Sequence, residues 1–99
     1  MVVEIIRYNI APDSSEHFIQ TYKEAATFLE RSEHCLSYEI IQGIEEPNHF
    51  IIRIEWDSVE GHMQGFRTGP DFQPFFALVR PFFQSILEMK HYSVITNSK

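Results

Sequence analysis

Five histidines carry the capacity of this chain for proton transfer near neutral pH, where imidazole is the side chain that ordinarily titrates. His62 stands apart from the others. It follows Trp56 by six residues and precedes Phe66 by four, so a short helix would set an imidazole near two aromatic walls. A histidine at the mouth of an aromatic pocket can act as acid, base or hydrogen-bond donor. The competing role is a histidine simply satisfied at a domain or subunit boundary. His17 and His34 fall at the two ends of a first helix, where surface or helix-end contacts are expected. His49 falls on a strand face, and of His91 and Tyr92 alternation lets only one face the helices.

The aromatic residues are the second chemical feature. Nine Phe stand against four Gly in 99 residues, and a chain this short hides only about 60–70% of its unfolded surface. Phe66, Phe72, Phe75, Phe76, Phe82 and Phe83 recur mostly at helical intervals, which for most of them means core packing. Kinked, Phe-rich helices over a sheet bearing Tyr38 and Trp56 could also enclose an apolar cavity of ligand size, suited to a flat hydrophobic molecule. Other chemistries lack their residues. The sequence has no G-x-G-x-x-G after a strand, no P-loop, no H-E-x-x-H and no Cys-His cluster, so no cofactor and no metal site is expected. Ser14, Ser15 and Ser58 read as helix caps, and Cys35 as a small hydrophobe.

These residues need elements to position them. Residues 2–11 are rich in β-branched side chains and end at Pro12, which predicts a strand. Asp13 and Glu16 have capping-box spacing, and Phe18, Tyr22, Ala25 and Leu29 predict a helix to about Arg31. Residues 35–42 and 48–56 predict an antiparallel hairpin across G-I-E-E-P-N. Asp57 and Glu60 form a second capping-box pattern before a short helix through His62 and Phe66. Residues 71–89 read as a helix with Pro74 in its first turn and a break or kink at Pro81. Residues 91–96 read as the last strand. The order β-α-β-β-α-β in one domain over residues 1–99 predicts an α+β, ferredoxin-like sandwich with helices on one face of an antiparallel sheet.

Alternation sorts the strands into two faces. Val2, Ile6, Tyr8, Ile10, Leu36, Tyr38, Ile40, Phe50, Ile52, Ile54 and Trp56 belong under the helices. The opposite face mixes Ile and Val with Arg7, Glu39, Arg53 and Glu55, which suggests Arg–Glu pairing across strands closed by a second copy of the chain. Eight Lys and Arg face fourteen Asp and Glu, a net charge of −6. Nucleic acid and membrane surfaces are therefore not expected partners. Glu4 and Arg7 inside the first apolar run argue against a signal peptide or membrane span, and the single cysteine suggests a reducing, cytoplasmic setting.

The run I-E-W-D-S-V-E-G-H-M-Q-G-F-R-T-G-P-D-F-Q-P-F-F over residues 54–76, with P-F-F-Q-S-I-L-E-M-K-H-Y over residues 81–92, resembles the antibiotic biosynthesis monooxygenase family. The resemblance implies a homodimeric α/β barrel, with a pocket between sheet and helices in each protomer. It also implies oxidation of quinol-like or polycyclic aromatic compounds by O₂ without metal or flavin, the deprotonated substrate supplying the electrons. On that reading His62 is the catalytic proton acceptor or donor, and Tyr38, Trp56, Phe66, Phe76 and Tyr92 line the substrate site. The chain departs from the polyketide-oxidising members, which carry Asn four residues before the strand-three Trp where this chain has Ile52. It departs from haem-degrading members in having Phe66 in place of their Trp and no histidine near Phe75 and Phe76.

Two functions of different class fit these features. One is a cofactor-independent monooxygenase acting on an aromatic or quinone-like molecule. The other is a non-catalytic dimeric ligand-binding or stress-response module on the same fold, with isomerase or decarboxylase chemistry as a third option. A closed core around Trp56 and His62 would favour the module. A pocket there would favour catalysis.

Overall fold

The computed structural model describes residues 1–98. Four antiparallel strands, β1 (Val2–Asn9), β2 (Cys35–Gln42), β3 (His49–Trp56) and β4 (Ile86–Ser93), form one sheet in the order β2-β3-β1-β4. Helices α1 (Ser15–Glu30) and α2 (Phe72–Val79) cover one face, with a π-helical turn (Gly61–Phe66) between β3 and α2 and 3-10 turns at Pro12–Ser14 before α1 and Arg80–Ser85 after α2. This is the expected α+β ferredoxin-like arrangement.

Register explains why the core lies where it does. Ile6 pairs with Ile52, Tyr8 with Phe50 and Val2 with Trp56, so the same parity on two central strands stacks under the helices. From α1, Phe18, Tyr22, Ala25 and Leu29 close on that face and are buried. The rings form two groups. Tyr8, Phe18, Tyr22, Phe50 and Phe82 pack edge-on or tilted at one end. Trp56, His62, Phe66, Phe72 and Phe75 pack at the other.

Several boundaries differ from the sequence reading. The last strand begins at Ile86, not at residue 91, and the second long helix stops at Val79. Leu87, Glu88, Met89 and Lys90 are good helix formers, but here β1 pairing overrides propensity: Arg7 pairs with Glu88, Ile5 with Lys90 and Glu4 with His91. Pro81, which lacks an N–H, sits in the 3-10 turn that carries the chain from helix to strand. Leu36 was expected under the helices but is 53% exposed, because the β2–β3 register shifts between Cys35 and Ser37. Neither capping box forms as drawn. Residues 12–14 take a 3-10 turn, and Ser15 Oγ donates to the Ala11 carbonyl. At the second site Ser58, not Asp57, caps the turn by accepting from the Gly61 N–H at 2.8 Å.

Candidate active site

Strands β1 and β3 bring two side chains together at one end of the sheet. Glu4 follows Val2 and precedes Ile6 in the helix-covered parity, so its carboxylate points into the core and is 3% exposed. Trp56, fully buried at the end of β3, donates its indole N–H to Glu4 Oε1 at 3.0 Å. A buried carboxylate without such a donor would be strongly unfavourable.

The π-helical turn brings the third member. Its backbone lies close to His34: a Cβ at Gly65 would stand 2.3 Å from the His34 ring, and one at Gly61 1.9 Å from the Asp57 carboxylate. His34 Nδ1 in turn bonds Asp57 Oδ2 at 2.8 Å. The glycine side of the turn is thus pressed against a His34–Asp57 pair, and the other side presents His62 and Phe66 inward. His62 stacks on the Trp56 indole, with ring centres 4.4 Å apart and planes 11° from parallel. Its Nε2 lies 3.6 Å from Glu4 Oε1, and its Nδ1 lies 2.8 Å from Nε2 of His91 on β4.

The result is a line of polar groups, His91–His62–Glu4–Trp56. Burial, with His91 and then Arg67 adding repulsion, holds the His62 imidazole down at about 4. Burial pushes the Glu4 carboxyl up, against the Trp56 N–H and the Arg67 charge, which pull it down. His62 is therefore neutral at pH 7. In the tautomer where the half-buried His91 donates to Nδ1, the remaining His62 hydrogen sits on Nε2, 3.6 Å from Glu4 Oε1, so a small shift would close the line. Such a line can pass a proton between a buried carboxylate and the surface. It presents its donors to one another, and among the described residues no group of three or more His, Cys, Asp or Glu could hold a metal ion.

Glu4, Trp56 and His62 border a cavity of about 120 Å³. Ile6, Tyr22, Leu29, Ile54, Phe66, Phe75 and Val79 complete its walls, and Arg67, Phe72, Phe76, Phe83 and Met89 also line it. Of these last, Arg67, Phe83 and Met89 are exposed and form the rim. Arg67 lies over the Phe72 ring at 5.7 Å. For scale, an apolar cavity of about 150 Å³ holds a benzene ring.

Of the residues expected to line a site, His62, Trp56, Phe66 and Phe76 do border this cavity. Two do not. Tyr38 is on edge strand β2, where its hydroxyl donates to Glu30 Oε1 at 2.7 Å, outside the cavity. Tyr92 lies on the opposite sheet face, hydrogen-bonded to Glu88, because in the β1–β4 register it pairs with Val3, whereas His91 pairs with Glu4. Glu4, Tyr22, Arg67 and His91 are the site members the sequence reading missed. The signal for Glu4 was present: it shares parity with Ile6 and Tyr8.

The antibiotic biosynthesis monooxygenase family model matches residues 1–78. The chain belongs to that family. A curated relative, the uncharacterised protein YczJ of Bacillus subtilis (strain 168), is 23% identical over 92 residues, covering 93% of this chain and 97% of its own. The fold is similar to a Bordetella bronchiseptica structure of the same family at TM-score 0.77 and 22% identity, covering 96% of this chain and 97% of that one. It is also similar to SnoaB, a cofactor-independent oxygenase of Streptomyces nogalater. That match has TM-score 0.77 and 14% identity, covering 97% of this chain and 94% of that one. At these identities the structures share the fold.

Proposed function

We propose that this chain is a cofactor-independent monooxygenase acting on a small aromatic or quinone-like molecule, in a reducing, cytoplasmic setting and as a homodimer. One observation carries the reading: a buried carboxylate, wired through His62 to the half-buried His91, opens into an aromatic cavity. A cavity that only filled space would have no use for a carboxylate whose ionisation burial penalises.

The chemistry balances without a cofactor. Oxidising a quinol to its hydroxyquinone, with one ring C–H becoming C–OH and the two phenols becoming carbonyls, removes four electrons, and O₂ takes all four, one oxygen entering the product and the other leaving as water. The protein need only bind the substrate, accept a proton and hold the resulting anion. Glu4 is the acceptor, His62 and His91 return the proton to solvent, and Arg67 at the rim favours the anion. The cavity volume favours one aromatic ring over a fused polycycle.

Oxygen uptake with a panel of single-ring quinols and three-ring anthrones tests this. The expected result is turnover of single-ring members, reduced about 10²–10⁴-fold in His62→Ala. Equal turnover by wild type and His62→Ala would remove the role of His62. No turnover across the panel would favour the non-catalytic ligand-binding module.

A further inference from the structure

The hydroxyls of Tyr8 and Tyr22 lie 2.6 Å apart in the core, with the two residues 0% and 1% exposed. Two phenols carry two hydroxyl hydrogens, and their mutual bond uses one. The second needs an acceptor, and among the described residues neither hydroxyl bonds any other group. If Tyr22 donated to Tyr8, the leftover hydrogen would belong to Tyr8, which is closed off from both solvent and cavity. A buried donor left that way costs about 1–3 kcal/mol. If Tyr8 donates to Tyr22, the leftover hydrogen belongs to Tyr22, which lines the cavity beside Glu4.

We infer that Tyr22 is a ligand-binding residue whose hydroxyl, accepting from Tyr8, donates to an oxygen acceptor of the molecule in the cavity. This rests on the reading of the cavity as a ligand site and deepens it. Glu4 accepts a hydrogen from the ligand and Tyr22 supplies one, so the site selects aromatic molecules that carry both an O–H and a C=O or equivalent oxygen. The donation from Tyr8 polarises the Tyr22 O–H and strengthens it as a donor. Both phenols are held in the protonated state by burial, with Tyr8 pushed up to about 12 and Glu4 adding repulsion against ionisation, so the donor persists at neutral pH.

Two probes test the inference by titration calorimetry: 4-hydroxybenzaldehyde, which has both groups, and 4-methylphenol, which lacks the acceptor. Tyr22→Phe is expected to weaken 4-hydroxybenzaldehyde binding about threefold to tenfold and to leave 4-methylphenol within about twofold. Tyr8→Phe is expected to cost less, because Tyr22 can still donate without it. Infrared spectra of wild type give a readout that needs no variant. The bound aldehyde carbonyl is expected at lower frequency than in an apolar solvent. A carbonyl at its apolar-solvent frequency, or equal losses for both probes in Tyr22→Phe, would overturn the role of Tyr22 and leave the cavity reading intact. If wild type bound neither probe, both readings would fall.

Discussion

Glu4 and His62 decide the electrostatics of this protein, and they pull stability in opposite directions as pH changes. His62 titrates at its ordinary value of 6.5 when unfolded and at about 4 in the fold. Below 6.5 the unfolded chain takes the proton first, so the fold loses stability as pH falls through this window, by about 3 kcal/mol at its lower end. Glu4 has a raised value, so the folded state protonates first and gains relative stability as pH falls toward 4.5. Comparing variants separates the two. Wild type should lose stability more steeply between pH 6.5 and 4 than His62→Phe, as read by denaturant unfolding at each pH. Parallel curves would mean that the imidazole is not held neutral.

Residue chemistry was only partly legible in the sequence. His62, Trp56 and Phe66 could be grouped because they are close along the chain and the intervening turn is local. Glu4 and His91 meet them only through strand register, and the register of β4 was hidden by a helix-forming run at Leu87–Lys90. Tyr38 and Tyr92 were placed in the site as aromatic residues of the right strands. Tyr38 is carried away by its position on the edge strand and Tyr92 by its parity.

At the scale of elements, the π-helical turn is what presents His62 to Trp56, and π-turns often mark functional sites. Two glycines four residues apart let it press on His34, an arrangement the sequence pattern G-H-M-Q-G contains but did not reveal. Gly65→Ala would drive a methyl into the His34 ring and is expected to cost about 1–3 kcal/mol. Truncating the obstacle in the double variant Gly65→Ala/His34→Ala should recover part of that loss in a double-mutant cycle. Additive losses would show that His34 and Gly65 do not act on each other. The larger elements were legible because their signals are periodic: alternation in β1 and β3, and the Phe18–Tyr22–Ala25–Leu29 stripe in α1. The ends of α2 and β4 were not, since helix propensity and strand pairing compete there.

For the whole molecule, the uncovered sheet face is the outstanding feature. Ile5, Arg7, Ile51 and Arg53 remain partly exposed on it, with Arg7 paired to Glu88 at 3.6 Å and Arg53 to Glu55 at 2.9 Å. The expected cross-strand pairing among Arg7, Glu39, Arg53 and Glu55 does not form: Arg53 uses Glu55 of its own strand, not its register partner Glu39, and Arg7 reaches Glu88 on β4. A face of aliphatics and paired charges suits closure by a second copy. Sedimentation at micromolar concentration should show a dimer. Ile51→Asp should weaken it by about 2 kcal/mol, roughly 30-fold in Kd. A wild-type monomer would contradict the homodimer.

The surplus of aromatic rings finds its place at this scale too. One group closes the core, and the other, with Tyr22, Phe76 and the rim residue Phe83, surrounds a cavity that contains a carboxylate. Whether that carboxylate takes the substrate's proton is best tested by oxygen uptake with a single-ring quinol, comparing wild type with Glu4→Gln. The amide can still accept from Trp56 but cannot accept a proton. A kcat/KM lower by about 10²–10⁴-fold, with binding of 4-methylphenol retained, is the expected result. Equal rates for the two proteins would contradict it.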